Sequence, residues 1–429
     1  LLVYGIKNNW INLDNLEIDN NYYSSEEVFQ KLVSYIVDEI QDDSKFDKKV
    51  YHSMVDSGVL SGREICLLLY DQKVLKKKIS TYQKLQAGMI SPYSFLKSKI
   101  RSLEISAGDL GLTPCSCAVI VTDVKTGKVK ALTSYPSYDN NKFANSVDAD
   151  YYAKISTSSA SPLLNRATQQ KAAPGSTFKM VTATTALEEG IINPYTRIHD
   201  GVQFNKINKP WPKCWSTYSH GNINVSQAIQ HSCNYFFYEM GYRLGNGHNT
   251  LVDNEKGLSK LKKYAEKYGL TEKSGIELPE AEPTFSDVDV VRSAIGQGSH
   301  SYTPVQMSRY VTTIANGGTC FDLTLIQKIK DAKSKTQDKK LSNVRNKLNF
   351  QSSTLTAIKT GMKNVVQAGS IKSLFNNVNV TVAGKTGTAQ ITNNEPNHAL
   401  FVSFAPYENP EISITVVIPN GFSSSNAAE

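Results

Sequence analysis

The chain has no run of about 18 apolar residues, the length at which a helix begins to span a bilayer, and it starts at Leu1 rather than Met. No leader peptide or membrane span is expected within it, and the cut-looking start suits an excised ectodomain. There is no basic block interleaved with aromatics, so nucleic-acid binding is set aside. Net charge is modest, +8 from 47 basic and 39 acidic residues, and it is spread along the chain. Such a balance suits work beside an anionic surface and suits an ordinary soluble protein equally. Internal repeats and long low-complexity tracts are missing as well.

Cysteine is scarce. Cys66, Cys115, Cys117, Cys214, Cys233 and Cys320 are too few and too scattered for the disulfide framework of a small secreted domain. Cys115 and Cys117 are too close for an easy disulfide, and strand alternation puts both on one face, where core packing is expected.

What is present divides at about Thr113-Pro114. Residues 1–113 carry no catalytic pattern. Val28–Val37 and Ser61–Tyr70 have helical periodicity, so this part reads as a mostly helical pedestal or interaction region. Residues 114–429 read differently. Cys117–Val124 is a buried strand, followed by a glycine turn at Gly127 and a second strand through Ser134. Val380–Gly384, Leu400–Ala405 and Ile412–Ile418 are strands spaced as an antiparallel meander. Helical segments lie between the two sets of strands, an α+β arrangement with an antiparallel sheet flanked by helices.

The chemistry gathers in three short stretches. Ala172-Ala-Pro-Gly-Ser-Thr-Phe-Lys-Met180 places a Pro-Gly break before Ser176 and an apolar helix after it. Ser176 and Lys179 share a helix face one turn apart. N–H groups at a helix start favour developing negative charge, and a desolvated lysine can accept a proton. Ser-x-x-Lys recurs at Ser94–Lys97 and Ser259–Lys262, but those read as an amphipathic helix start and a solvated helix face. Lys-Thr-Gly also occurs three times. Lys125–Gly127 is a hairpin turn, and Lys359–Gly361 lies in a helix with its glycine near an end. Lys385-Thr386-Gly387-Thr388 lies on or beside a strand, where Gly387 allows close approach. Its two threonine hydroxyls could hold a carboxylate, with Lys385 adding positive charge. Between these stretches comes Ser232-Cys-Asn234. The order Ser176…Lys179, Ser232…Asn234, Lys385…Gly387 is the motif set of penicillin-binding proteins and serine β-lactamases.

From about Pro114 onward the chain resembles the transpeptidase domain of class B penicillin-binding proteins. Leu164-Asn-Arg-Ala-Thr168, Gly296-Gln-Gly298 and Phe401-Val-Ser-Phe-Ala-Pro406 add to the three motifs. The resemblance implies the penicillin-binding transpeptidase fold, shared with serine β-lactamases, and D,D-transpeptidation of peptidoglycan. It implies that Ser176 is acylated, Lys179 is its base, Ser232 relays protons and Asn234 binds the substrate amide. It assigns the N–H groups of Ser176 and Thr388 to the oxyanion hole, stem peptides as substrates and β-lactams as mimics. It further implies a glycosyltransferase partner and a place on the extracytoplasmic face, by an anchor missing from this chain. No cofactor is needed for such chemistry. The family ends in a long helix, whereas this chain stops at Ser425–Glu429; truncation or omitted segments would explain that. A serine β-lactamase, or a β-lactam sensor or silent scaffold, stays open as an alternative.

Cys233 departs from the needs of its motif. Asp200, Cys214 and His220 lie near it in sequence, a set suited to tetrahedral Zn²⁺ although not at a standard spacing. His199 and His231 are competing ligands. A Cys214–Cys233 disulfide, or two unlinked buried thiols, are the alternatives.

Overall fold

The computed structural model describes residues 23–40, scattered positions between 46 and 54, 57–105 apart from 77 and 103, and 116–330 apart from 159. It further describes residues 336–337, 343–389, 397–421 and 423–429. Thr113, Pro114 and Cys115 lie outside the described residues, and with Cys115 so does the expectation for the Cys115–Cys117 pair. The chain forms two compact units, Leu1–Pro114 and Cys115–Glu429.

The first unit is helical where it is described. Helix α1 spans Ser25–Ile40, α2 Gly62–Asp71, α3 Ile79–Gln86 and α4 Pro92–Arg101. Helix α2 starts at Ser61 because its hydroxyl accepts from the Glu64 N–H while the Glu64 carboxylate accepts from the Ser61 N–H. Its buried face, Cys66, Leu69 and Tyr70, packs with Leu75, Leu85, Phe95 and Ile105 into a small core. On α1, by contrast, Val28, Phe29, Val33 and Val37 remain exposed.

The second unit is built on a five-stranded antiparallel sheet. Strands β1 (Cys117–Asp123) and β2 (Val129–Tyr135) form the hairpin at one edge. Two-residue strands β3 (Ile198–His199) and β4 (Asn222–Ile223) close a loop far along the chain, and β5 (Thr319–Phe321) pairs with β6 (Val344–Lys347). Strands β7 (Ala383–Ala389), β8 (His398–Ala405) and β9 (Ile412–Ile418) complete the sheet in the order β2-β1-β9-β8-β7. The chain thus opens and closes the sheet, and β7 forms its far edge, paired on one side by β8. Alternating residues of β1 and β9 are buried, the period-two pattern of strands covered on one face, while β8 is buried almost throughout.

Helices fill the interval. They are α5 (Ala149–Ser156), α6 (Lys179–Glu188), α7 (Val225–Gln230), α8 (Asn234–Leu244), α9 (Asn254–Lys267), α10 (Val290–Ser293), α11 (Pro304–Ala315) and α12 (Ser352–Ala368). A single helical turn, α13, covers Ser425–Ala428. Helix α11 begins as Thr303-Pro304 predicts, with Thr303 and Gln306 capping each other. It packs on β1, β8 and β9, and every residue from Pro304 to Ala315 is buried. Helix α6 is buried from Lys179 to Leu187, its threonines and its first residue included.

Two local expectations need correction. Ser176 is not in an α-helix: Gly175–Phe178 forms a 3₁₀ turn, and α6 begins only at Lys179. Side chains three apart eclipse in a 3₁₀ turn, so the shared face survives the change. Gly361 is not near a helix end but inside α12, where α7 packs against it.

Candidate active site

The nucleophile turn is held by backbone contacts that only small residues permit. Gly175 has φ of +50°, and a Cβ there would lie 2.6 Å from the Thr388 carbonyl oxygen. A Cβ on Gly387 would lie 2.9 Å from the Pro174 carbonyl oxygen. The two glycines therefore let the Ser176 turn and β7 meet backbone to backbone. Behind the turn, Gly175 N–H donates to the Gly296 carbonyl at 3.0 Å and Tyr310 donates to the Thr177 carbonyl at 3.2 Å. Phe178, fully buried, stacks against His300 with ring centroids 4.3 Å apart. Ala294–Gly298 thus braces the nucleophile from below, a role that its glycines alone do not announce in the sequence.

Ser232 stands at the centre of the site. Its Oγ donates to Ser176 Oγ at 3.0 Å, and both lysines donate to it, Lys385 at 3.0 Å and Lys179 at 3.2 Å. Lys179 also donates to the Ser232 carbonyl at 2.7 Å and to Asn234 Oδ1 at 2.6 Å; Lys385 also donates to the Thr386 carbonyl at 2.9 Å. Lys179 therefore connects to Ser176 through Ser232. Ser232 has φ of +52°, a conformation costly for a residue with a Cβ. It is held there because α8 starts two residues later and Cys233, its N-cap, is fully buried.

Burial brings the Lys179 amine down to about 8. Lys385 is pushed well below its ordinary value by burial and by the neighbouring Lys179. Two ammonium groups sharing one hydroxyl repel each other, so the arrangement favours a single positive charge between them.

The cleft in front of Ser176 has a volume of about 1060 Å³. Ser232, Asn234, Thr386 and Thr388 line it, as the motifs lead one to expect. Val365, Ala368–Ser370, Asn397 and Ser423–Ser424 line it too, from parts of the chain where the sequence carries no signal.

The four candidate metal ligands also come together. Donor atoms of Asp200, Cys214, His220 and Cys233 all lie within 4.8 Å of one another. His220 Nδ1 is 2.6 Å from Asp200 Oδ2. Burial opposes ionisation of Asp200, but the His220 and Val202 N–H groups hold its carboxyl low. Cys214 and Cys233 are free thiols with sulfurs 4.0 Å apart. The contact between the two sulfurs, against burial, brings Cys214 to about 5, while Cys233 itself is pushed up by that contact and by burial. His199 lies outside this cluster and exposed; His231 stacks on His220 with centroids 5.3 Å apart.

Residues 117–429 match the penicillin binding protein transpeptidase domain. Peptidoglycan D,D-transpeptidase MrdA of Haemophilus influenzae is 31% identical over 345 residues, covering 72% of this chain and 51% of that protein. The chain belongs to the class B penicillin-binding proteins. Its fold is theirs as well. Penicillin-binding protein A from M. tuberculosis, solved as an imipenem acyl-enzyme complex, superposes with a TM-score of 0.64 at 26% identity, over 73% of this chain and 72% of that one. A peptidoglycan synthase complex coordinating polymerization and crosslinking contains a chain that matches with a TM-score of 0.63 at 26% identity, over 73% of this chain and 54% of that one. This class B chain spans about half the length of the curated relatives it matches first.

Proposed function

We propose that this chain is the catalytic part of a serine-type peptidoglycan D,D-transpeptidase that cross-links stem peptides and is acylated by β-lactams. The observation that carries the reading is the junction at Ser232, whose hydroxyl meets Ser176 and both buried lysines.

In this reading Ser176 Oγ attacks the carbonyl carbon of the penultimate D-Ala. Its proton passes to the neutral Lys179 amine by way of Ser232. The N–H groups of Ser176 and Thr388 hold the oxyanion, each such donor contributing about 10²–10³ in rate. Thr386, Thr388 and Lys385 bind the terminal carboxylate, Gly387 keeps β7 close to the nucleophile, and Asn234 binds the peptide amide. Collapse breaks the amide bond, and the leaving D-Ala amine takes its proton back through Ser232. An amine of a second stem then attacks the ester, releasing Ser176 and forming the cross-link. Replacing Ser176 by Ala is expected to abolish covalent labelling by fluorescent penicillin with the fold intact. Wild-type labelling in that variant would sink the assignment. Nitrocefin turnover that keeps pace with adduct loss would instead favour a β-lactamase.

The reading extends to a structural Zn²⁺ held by Asp200, Cys214, His220 and Cys233. Two thiols, an imidazole and a carboxylate converging on one point are a fitting donor set. A bound Zn²⁺ there would supply no chemistry to acyl transfer. It would fix the Cys233 sulfur, and with it the flanking Ser232 and Asn234. Protein purified without added metal should carry about one equivalent of zinc, and chelation or Cys233→Ser should lower the melting temperature. Less than about a tenth of an equivalent would reject the site.

An anchor on the extracytoplasmic face of the membrane and a glycosyltransferase partner belong to the same proposal. The solved synthase complex that couples polymerization to crosslinking supports the partner. Residues 1–113 serve in it as the pedestal and 114–429 as the transpeptidase domain.

A further inference from the structure

Among the described residues, those lining the Ser176 cleft include Lys213 and Arg292 but no aspartate or glutamate. Lys179 and Lys385 stand buried behind them. Lys213 and Arg292 therefore bring cationic groups to the cleft beyond the Lys385 that one terminal carboxylate would use.

Lys213 and Arg292 belong to one wall. Arg292 donates one guanidinium nitrogen to Asp289 and the other to the Pro210 carbonyl at 2.7 Å. That contact pins the loop three residues before Lys213. The Tyr238 hydroxyl, on α8, donates to the Lys213 carbonyl at 3.4 Å and lines the same wall. Lys213 is exposed, and no carboxylate among the described residues pairs with its ammonium. Arg292 has five N–H donors and its contacts leave some of them open; its side chain is 35% exposed. A cation without a carboxylate partner, beside an arginine locked in place, is ready to receive an anion. A cationic side chain at the same spot would meet the unpaired Lys213 ammonium beside an Arg292 that Asp289 only partly offsets.

We propose that Lys213 and Arg292 bind a second carboxylate of the acyl donor, upstream of its terminal D-Ala-D-Ala. The inference rests on the transpeptidase reading and deepens it: the preferred donor is a stem peptide with a free carboxylate on its third or second residue. A donor with that carboxylate amidated, or replaced by an amine, binds more weakly.

The test uses donor pentapeptides with both carboxylates free, with either one amidated, and with both amidated. Binding is read by ligand-observed NMR titration to the Ser176→Ala chain, with and without Lys213→Met or Arg292→Gln. Amidating the carboxylate in contact should weaken binding roughly tenfold, the size of one charge-assisted hydrogen bond. Lys213→Met should bring the free-to-amidated ratio close to one, and Arg292→Gln should reduce it. The ratio cancels any general change in the cleft, and the peptide that shows the loss names the residue bearing the carboxylate. Ratios near one for all peptides, or a ratio unchanged by Lys213→Met, overturn the proposal. Fluorescent-penicillin labelling of the chain with Ser176 present is run beside it. Lost labelling with the ratio intact sinks the transpeptidase reading alone, and labelling with a ratio of one sinks this inference alone.

Discussion

Ser232 connects the three catalytic motifs, and Lys179 is the residue whose removal tests that connection most directly. Lys179→Ala takes away the buried amine that meets Ser232 and Asn234. General-base help is worth about 10²–10⁴ in rate, and the loss also frees Ser232 and Asn234. Stopped-flow acylation by a β-lactam should therefore slow by at least about 10²-fold, while reversible binding of an unreactive peptide changes little. Acylation at the wild-type rate near neutral pH would mean that another group takes the Ser176 proton. The motif residues were legible because the chemistry demands particular residue types at fixed spacings. Lys213, Arg292 and Asn397 were not. They reach the cleft through tertiary placement, and no local pattern marks a lysine that will lack a partner.

At the scale of elements, the strands and long helices followed from periodicity, whereas their contacts did not. Gly361 shows the difference. In sequence it reads as a glycine near the end of a helix; in the fold it sits inside α12, where a Cβ would lie 2.7 Å from Ile229 Cβ and 2.9 Å from the Ser226 carbonyl oxygen. Helix propensity alone would make Gly361→Ala stabilising by up to about 1 kcal/mol. Overpacking against α7 should outweigh it, at about 1–3 kcal/mol. The variant is expected to melt below wild type, and a higher melting temperature would show that α7 moves aside freely. The 3₁₀ turn at Ser176 escaped sequence reading for a related reason. Its shape is imposed by the close approach of Pro174 and Gly175 to β7, a partner two hundred residues away in the chain.

For the whole molecule, the larger core carries a built-in acid sensitivity. His300 lies among Phe178, Phe285 and Tyr302, and burial pushes its imidazole down to about 3. Its Nδ1 accepts from the Ser286 N–H at 3.0 Å, so the neutral ring carries its proton on Nε2. The unfolded chain would bind a proton near pH 6.5 and the folded chain only near 3, so stability is fully present above about 6.5 and falls as the solution is acidified through that window. By pH 5 the loss from this group approaches about 2 kcal/mol. Denaturant melts at pH 7 and pH 5 should show a smaller drop for His300→Gln than for wild type. Parallel drops would place the sensitivity elsewhere.

The sheet order also bears on self-association. Among the described residues, strand β7 ends the sheet with one side unpaired, and an open edge invites pairing with any extended chain. Its sequence, Ala-Gly-Lys-Thr-Gly-Thr-Ala, has two glycines, no large apolar side chain and no β-branched aliphatic residue. Such a strand is a poor template for a second copy, because little side-chain surface would be buried beyond the backbone ladder. The other edge, β2, carries Lys130 at an exposed position, paired with Asp123, and a charged side chain there discourages pairing with another copy of the same edge. The molecule can therefore keep a strand edge open beside its nucleophile without that edge templating fibrils.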